Sequence, residues 1–217
     1  MFTTENIQEI VRRDYRTADV FTKWGINYCC GVNHNLEQIC ELQKLDISKV
    51  TSDLDRATHT ISISNTVNFK EWPIDFLVDY IQNIHHAYLK IAIPDLKSLL
   101  RDFVEGHRQK HPYLIHVEET FNDLADELLE HTTHEEESVF PYIKQISSTY
   151  KRKEVYGSLF VRTMGKQLNK IVESEHRRIS VLLYQLRSET NNYHFNAEAC
   201  TNHQVIYHKL KELDRDL

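Results

Sequence analysis

Residues 112–146 read PYLIHVEETFNDLADELLEHTTHEEESVFPYIKQI, and this stretch decides the fold. Phe121, Leu124, Leu128 and Val139 recur at helical spacing, which predicts one long amphipathic helix from about Pro112 to Ile146. On that helix His131 and Glu135 stand four residues apart, so they project from one face a turn apart. Glu127 lies one turn earlier on the same stripe. An imidazole and a carboxylate presented this way can bind one metal ion, or one can bind while the other bridges two. Glu127 then reads as the acceptor for the other ring N–H of His131. Taken by itself, the segment reads equally well as a solvated acidic face with i,i+4 hydrogen bonds.

Working outward, a second long stripe precedes this one. Pro73 suits a first helical turn, and Leu77, Ile81, Ile84, Tyr88 and Ile91 follow at helical spacing. Pro94 falls inside that pattern and predicts a kink or restart. A third helix is expected from about Tyr156 to Arg187, carrying Leu159, Phe160, Leu168, Ile171, Val172, Ile179 and Leu182. A polar loop, 188–196, separates it from a fourth helix that starts near Glu198 and carries Val205, Ile206, Leu210 and Leu213. Four amphipathic helices with short connections predict a four-helix bundle.

The N-terminal part reads as a smaller helical unit. Residues 5–24 form one expected helix. Gly25-Ile-Asn-Tyr-Cys29-Cys30-Gly31 breaks it with a vicinal cysteine pair in a turn. Asn35 can cap a short helix through Leu36, Ile39 and Leu42, and Asp46 or Ser48 can start another through Val50 and Leu54. Thr58–Asn68 has no helical stripe and reads as a linker. The expected organisation is therefore all-α: a small helical domain over 1–65 and a bundle over 70–217.

Composition narrows the function. The chain has 217 residues and a net charge of −6, so it offers no strongly basic surface and nucleic acid is not an expected partner. No apolar run reaches the roughly 18 residues of a membrane span, so no membrane is expected either. The four cysteines, without an export signal, do not read as a disulfide framework. The 13 histidines are the unusual feature, because histidine is the commonest metal ligand.

Two further histidine motifs lie on the other helices. Glu173 and His176 form the Glu-x-x-His spacing of ferritin-like di-iron bundles, although surface polarity explains such a spacing as well. His85-His86 sits among Ile81, Ile84 and Tyr88. A helical wheel brings His85 nearer the main apolar stripe, and Val78, Leu89 and Ile93 share the side of His86, so periodicity leaves the choice open. His86, His131 and His176 follow one another at equal 45-residue steps. One helix plus its loop takes about that length in an up-down bundle, so the three can lie at one height, converging from facing helices. Imidazole with carboxylate suits iron, zinc or manganese. A ferritin-like oxidase using Glu173 and His176 would have more carboxylates than the equal-step set, which is three histidines.

These residues resemble a known family. Asn-Tyr-Cys29-Cys30-Gly31, His131-x-x-x-Glu135-Glu-x-x-Val-Phe140-Pro141, Glu173-Ser-Glu-His176 and Glu198-Ala-Cys200-Thr201 together make the chain similar to the YtfE/ScdA (RIC) family of iron–sulfur cluster repair proteins, within the hemerythrin-like bundles. The resemblance covers nearly the whole chain. It implies a cysteine-bearing N-terminal domain followed by a hemerythrin-like four-helix bundle with a non-haem di-iron centre. Carried over, the iron ligands are His86, His131, Glu135 and His176. His86 is preferred to His85 for its distance to Pro94. The implied activity is repair of clusters damaged by nitric oxide or peroxide under stress, by iron donation. Cys29 and Cys30 are expected as exposed thiols for iron handling or redox chemistry, with Cys40 and Cys200 structural. The implied partners are damaged iron–sulfur proteins, with room left for a homodimer, in a bacterial cytoplasm. The alternative is a hemerythrin-like oxygen or nitric-oxide binder or sensor, against which the thiol pair argues.

One departure stands out. The family pattern ends in a second His-x-x-x-Glu followed closely by Phe-Pro, whereas this sequence ends Asp214-Arg-Asp-Leu217. His203 has Tyr207 four residues on. His208 does have Glu212, but on a wheel both face away from the stripe of Ile206, Leu210, Leu213 and Leu217, so they are expected as a solvated pair. The fourth helix is therefore expected to be cut short, its missing ligands just past Leu217 and His203 the expected substitute.

Overall fold

In the computed structural model, residues 2–29, 34–59, 68–154 and 157–217 are described. Cys30 and Gly31, and most of the expected linker, lie outside them. The fold is all-α, and the chain divides into two compact units: Met1–Asn65 with Tyr193–Glu212, and Thr66–Asn192 with Leu213–Leu217. Sequence reading assigns 70–217 to one bundle; by contacts, Tyr193–Glu212 groups with the N-terminal segment instead.

In the first unit, the single helix expected over 5–24 is two, α1 (Ile7–Arg13) and α2 (Thr17–Lys23). Asp14 is extended and ends α1. Its carboxylate accepts from Arg16 Nε at 2.9 Å and Nη2 at 2.6 Å, which fixes the corner between the helices. Asn35 caps α3 (Leu36–Gln43) in a full capping box with Gln38. Asp46 caps α4 (Ile47–Thr58), accepting from the amides of Ser48 and Lys49. These helices close over Ile7, Ile10, Phe21, Leu36, Val50 and Leu54, all buried, and Val205 joins that core. Val205 lies on α10 (Thr201–Asp216), and its burial there is one physical reason that most of this helix groups with the first unit. An isolated antiparallel bridge ties Asn6 to Asn35.

The second unit is a bundle of three long rods and the end of α10. The first rod is α5 (Ile74–Tyr80), a π-helical segment (Ile81–His86) and α6 (Ala87–His107). The second is α7 (Leu114–His134), a π segment (Glu135–Val139) and α8 (Phe140–Lys151). The third is α9 (Gly157–Glu189). α6 and α9 both pack on α7, and α5 packs on α8. The helix runs on through Pro94 rather than restarting. Pro94 and Lys90 are both exposed, so water can take the Lys90 carbonyl that proline leaves unpaired. Pro141 is the second residue of α8, just past the second π segment, and has no N–H to give the Glu137 carbonyl. The Phe140 amide reaches back five residues to the Glu135 carbonyl. Among the described residues, no helix is long and apolar enough to cross a membrane.

Candidate metal centre

The two π segments lie where the histidines and carboxylates gather. His86 closes the first, Glu135 and Glu136 open the second, His131 stands one turn before on α7, and His176 lies on α9. The two Glu135 oxygens face different rings: Oε2 is 3.2 Å from His86 Nε2, and Oε1 is 3.5 Å from His131 Nε2. His176 joins from α9, its ring edge-to-face with His131 at 4.8 Å. One ligand atom each of His131, Glu135 and His176 lie within 4.8 Å of one another. His86 is 4% exposed and His131 is buried, whereas His176 is exposed.

Behind each inner histidine stands a carboxylate from the next rod. His86 Nδ1 is 3.0 Å from Glu136 Oε1, and Lys90 Nζ donates to both Glu136 oxygens at 2.8 and 2.7 Å. His131 Nδ1 is 2.9 Å from Glu175 Oε2, whose other oxygen is 3.0 Å from His134 Nδ1. Burial pushes the His86 imidazole down, but hydrogen bonds to Glu135 and then Glu136 outweigh it and hold its pKa above the ordinary value. Burial raises Glu136 and Glu175 in turn. Lys90 and His86 pull Glu136 below the usual carboxylate range, and His131 and His134 do the same for Glu175.

The donor set fits a transition metal. Two ligands held cis at ~2.1 Å on one ion stand roughly 3.0–3.4 Å apart, close to the two Nε2–Glu135 separations. The Glu135 carboxylate thus presents one oxygen to each of the two imidazoles. Carboxylates on the far nitrogens orient metal-binding histidines and raise their basicity. Nitrogen with oxygen donors suits iron, manganese or zinc.

A model described as the hemerythrin HHE cation-binding domain matches residues 79–217. The chain belongs to the hemerythrin HHE cation-binding family. The match takes in all four candidate ligands. A second model, ScdA_N, a domain of unknown function, matches residues 3–58. Among full-length relatives, the iron-sulfur cluster repair protein ScdA of Staphylococcus haemolyticus is 27% identical over 223 residues, covering 100% of this chain and 92% of the relative. ScdA of Staphylococcus epidermidis is 25% identical, covering 99% and 92%. The iron-sulfur cluster repair protein YtfE of Escherichia coli O157:H7 is 26% identical over 205 residues, covering 93% and 84%.

Within this hemerythrin-family bundle, several residues stand elsewhere than their sequence pattern predicts. Glu127 does not serve His131. It accepts from Arg178 Nε at 2.8 Å, because the Nδ1 edge of His131 points across to α9 rather than back along its own helix. Glu175 takes that place, and Glu173 is exposed. His85 Nδ1 is 3.0 Å from Asp216 and its ring packs on Tyr80, on a different edge from His86. His203 belongs to the first unit, where it packs edge-to-face on Tyr207 at 4.3 Å. His208 and Glu212 are not a solvated pair. His208 stacks on Tyr15 at 5.0 Å, and Glu212 accepts from the Tyr15 hydroxyl at 3.0 Å. Burial, then Lys211, pushes the His208 pKa down. Sequence reading passes over Glu136, Glu175, Lys90 and His134. The adjacency of Glu136 to Glu135 and of Glu175 to His176 is the signal that could have found the two carboxylates. Cys29 is half-buried, with its amide on Asn27 Oδ1 at 2.8 Å and its carbonyl accepting from Gln8 Nε2 at 3.1 Å. Its neighbour Cys30 lies outside the described residues.

Proposed function

We propose that this chain holds a non-haem di-iron centre through His86, His131, Glu135 and His176, and repairs iron–sulfur clusters damaged by oxidative or nitrosative stress by donating iron. The observation that carries the reading is Glu135, with one oxygen toward His86 and the other toward His131. Full-length relatives bearing the name iron-sulfur cluster repair protein support the activity. When bound, iron supplies redox-active, Lewis-acidic ions that also serve as the donated material.

The chain's own residues divide the work. His86 and His131 present Nε2 inward while Glu136 and Glu175 hold their Nδ1 edges. Glu135 supplies the negative charge between them. His176 stands on the exposed side, where an ion can enter and leave. Cys29 and Cys30 act as thiols that receive or pass iron, since thiolates are good iron ligands. The partners are damaged iron–sulfur proteins of the cytoplasm, and the chain acts alone or as a homodimer.

The test is reconstitution. The iron-loaded chain is mixed anaerobically with an iron–sulfur enzyme inactivated by nitric oxide, and recovery is followed against iron lost from the donor. Recovery that matches iron loss supports the reading. A chain that keeps its iron, binds oxygen or nitric oxide and restores nothing would be a binder or sensor instead.

A further inference from the structure

We propose that Glu136, itself held by Lys90, is a positioning residue for His86, and that this clamp sets how tightly one of the two metal positions keeps its iron. The proposal rests on His86 being a ligand, as argued above. Glu135 and Glu136 are consecutive, yet they meet opposite edges of one imidazole: Glu135 at Nε2, 3.2 Å away, and Glu136 at Nδ1, 3.0 Å away. Both belong to the π segment Glu135–Val139, and from it the two neighbouring carboxylates reach the two edges of one ring.

The clamp has a second layer. Lys90 lies one turn beyond His86 on the same rod, and its Nζ contacts both Glu136 oxygens. The carboxylate therefore cannot rotate away without breaking two charge-assisted bonds. Phe140 stacks on the His86 ring at 5.4 Å and 18°, so both edges and one face are fixed. The bundle repeats the arrangement once: His131 meets Glu175 from the next rod, and His134 from its own rod holds that carboxylate. Two occurrences of an imidazole, a carboxylate from the neighbouring rod and a nitrogen group from the imidazole's own rod beside that carboxylate make this a built feature. An imidazole whose far N–H is held by a carboxylate keeps one tautomer, one orientation and greater basicity.

The test uses the full chain loaded with ferrous iron and mixed anaerobically with a ferrous chelator in excess. Release should be biphasic. Glu136→Ala should speed one phase by about 10–100-fold and leave the other near its original rate. Lys90→Met should act in the same direction with a smaller effect, and Lys90→Arg should restore the original rate, which loss of generic packing would not reproduce. Wild-type release by Glu136→Ala, with iron lost from His86→Ala, would overturn the clamp while leaving the ligand reading intact. Full iron retention by His86→Ala would overturn the ligand reading and the clamp together. Circular dichroism of each variant separates these results from misfolding, and Lys90, being exposed, gives a variant whose folding is not at risk.

Discussion

Glu175 of α9 stands 2.9 Å from Nδ1 of His131, and it is 8% exposed. This carboxylate, not Glu127, completes the histidine that the His131-x-x-x-Glu135 motif announces. Glu175→Ala should therefore weaken iron binding by about 10–100-fold, whereas Glu127→Ala should change it by less than about twofold, since an exposed pair with Arg178 contributes little. Anaerobic iron titration of both variants measures the difference.

The same geometry makes stability depend on pH in the iron-free chain. The pKa of His86 is raised in the folded state by Glu135 and Glu136 against burial. Its contribution is then complete below the ordinary histidine value of about 6.5 and is lost as pH rises through the raised value. Glu175 is lowered, so its contribution is complete above the ordinary carboxylate value of about 4.3 and is lost as pH falls through the depressed one. Melting temperature of the iron-free chain against pH should fall on both sides of a weakly acidic maximum. In His86→Gln the alkaline fall should flatten.

How much of this was legible in the sequence follows from which interactions are local. Asn35 and Asp46 read correctly as caps because a cap depends only on the next three residues. The three rods of the bundle read from helical spacing, but the buried face of the first did not: Ile84 and Ile91 of its expected stripe are 50% and 68% exposed, and Val78, Leu89 and Ile93 are buried. The choice between His85 and His86 did not, because a wheel drawn at α-helical pitch misjudges a π segment. Ile81–His86 is such a segment, with no Gly or Pro to announce it, and its extra residue per turn rotates the face. The His86 side chain ends 5% exposed and that of His85 34%. The face of α10 carrying His208 and Glu212 looked solvated for a different reason. Its partner, Tyr15, lies 197 residues from Glu212, beyond any local pattern.

That long-range contact gives a stability prediction for the first unit. Tyr15→Phe removes the hydroxyl that Glu212 accepts and should cost about 0.5–1.5 kcal/mol. Tyr15→Ala also removes the ring stacked on His208 and should cost more, toward the ~3 kcal/mol of an aromatic truncation. Chemical denaturation of the two variants reads the order directly.

The cysteines should separate holding iron from passing it. Replacing Cys29 and Cys30 together by Ser should lower cluster repair while iron per chain stays near its original value, because no cysteine is among the bundle's candidate ligands. Iron content and reconstitution measured on one preparation decide this. A loss of bound iron in the double variant would show that the thiols help to hold the centre.

Whether Glu135 joins two metal positions is read directly from iron per chain in the wild type and in Glu135→Ala, each loaded anaerobically and desalted, with circular dichroism to show that both are folded. The wild type should hold close to two irons and the variant one or fewer, since both positions lose a donor at once. A folded Glu135→Ala chain that keeps the full wild-type iron would contradict that role of Glu135.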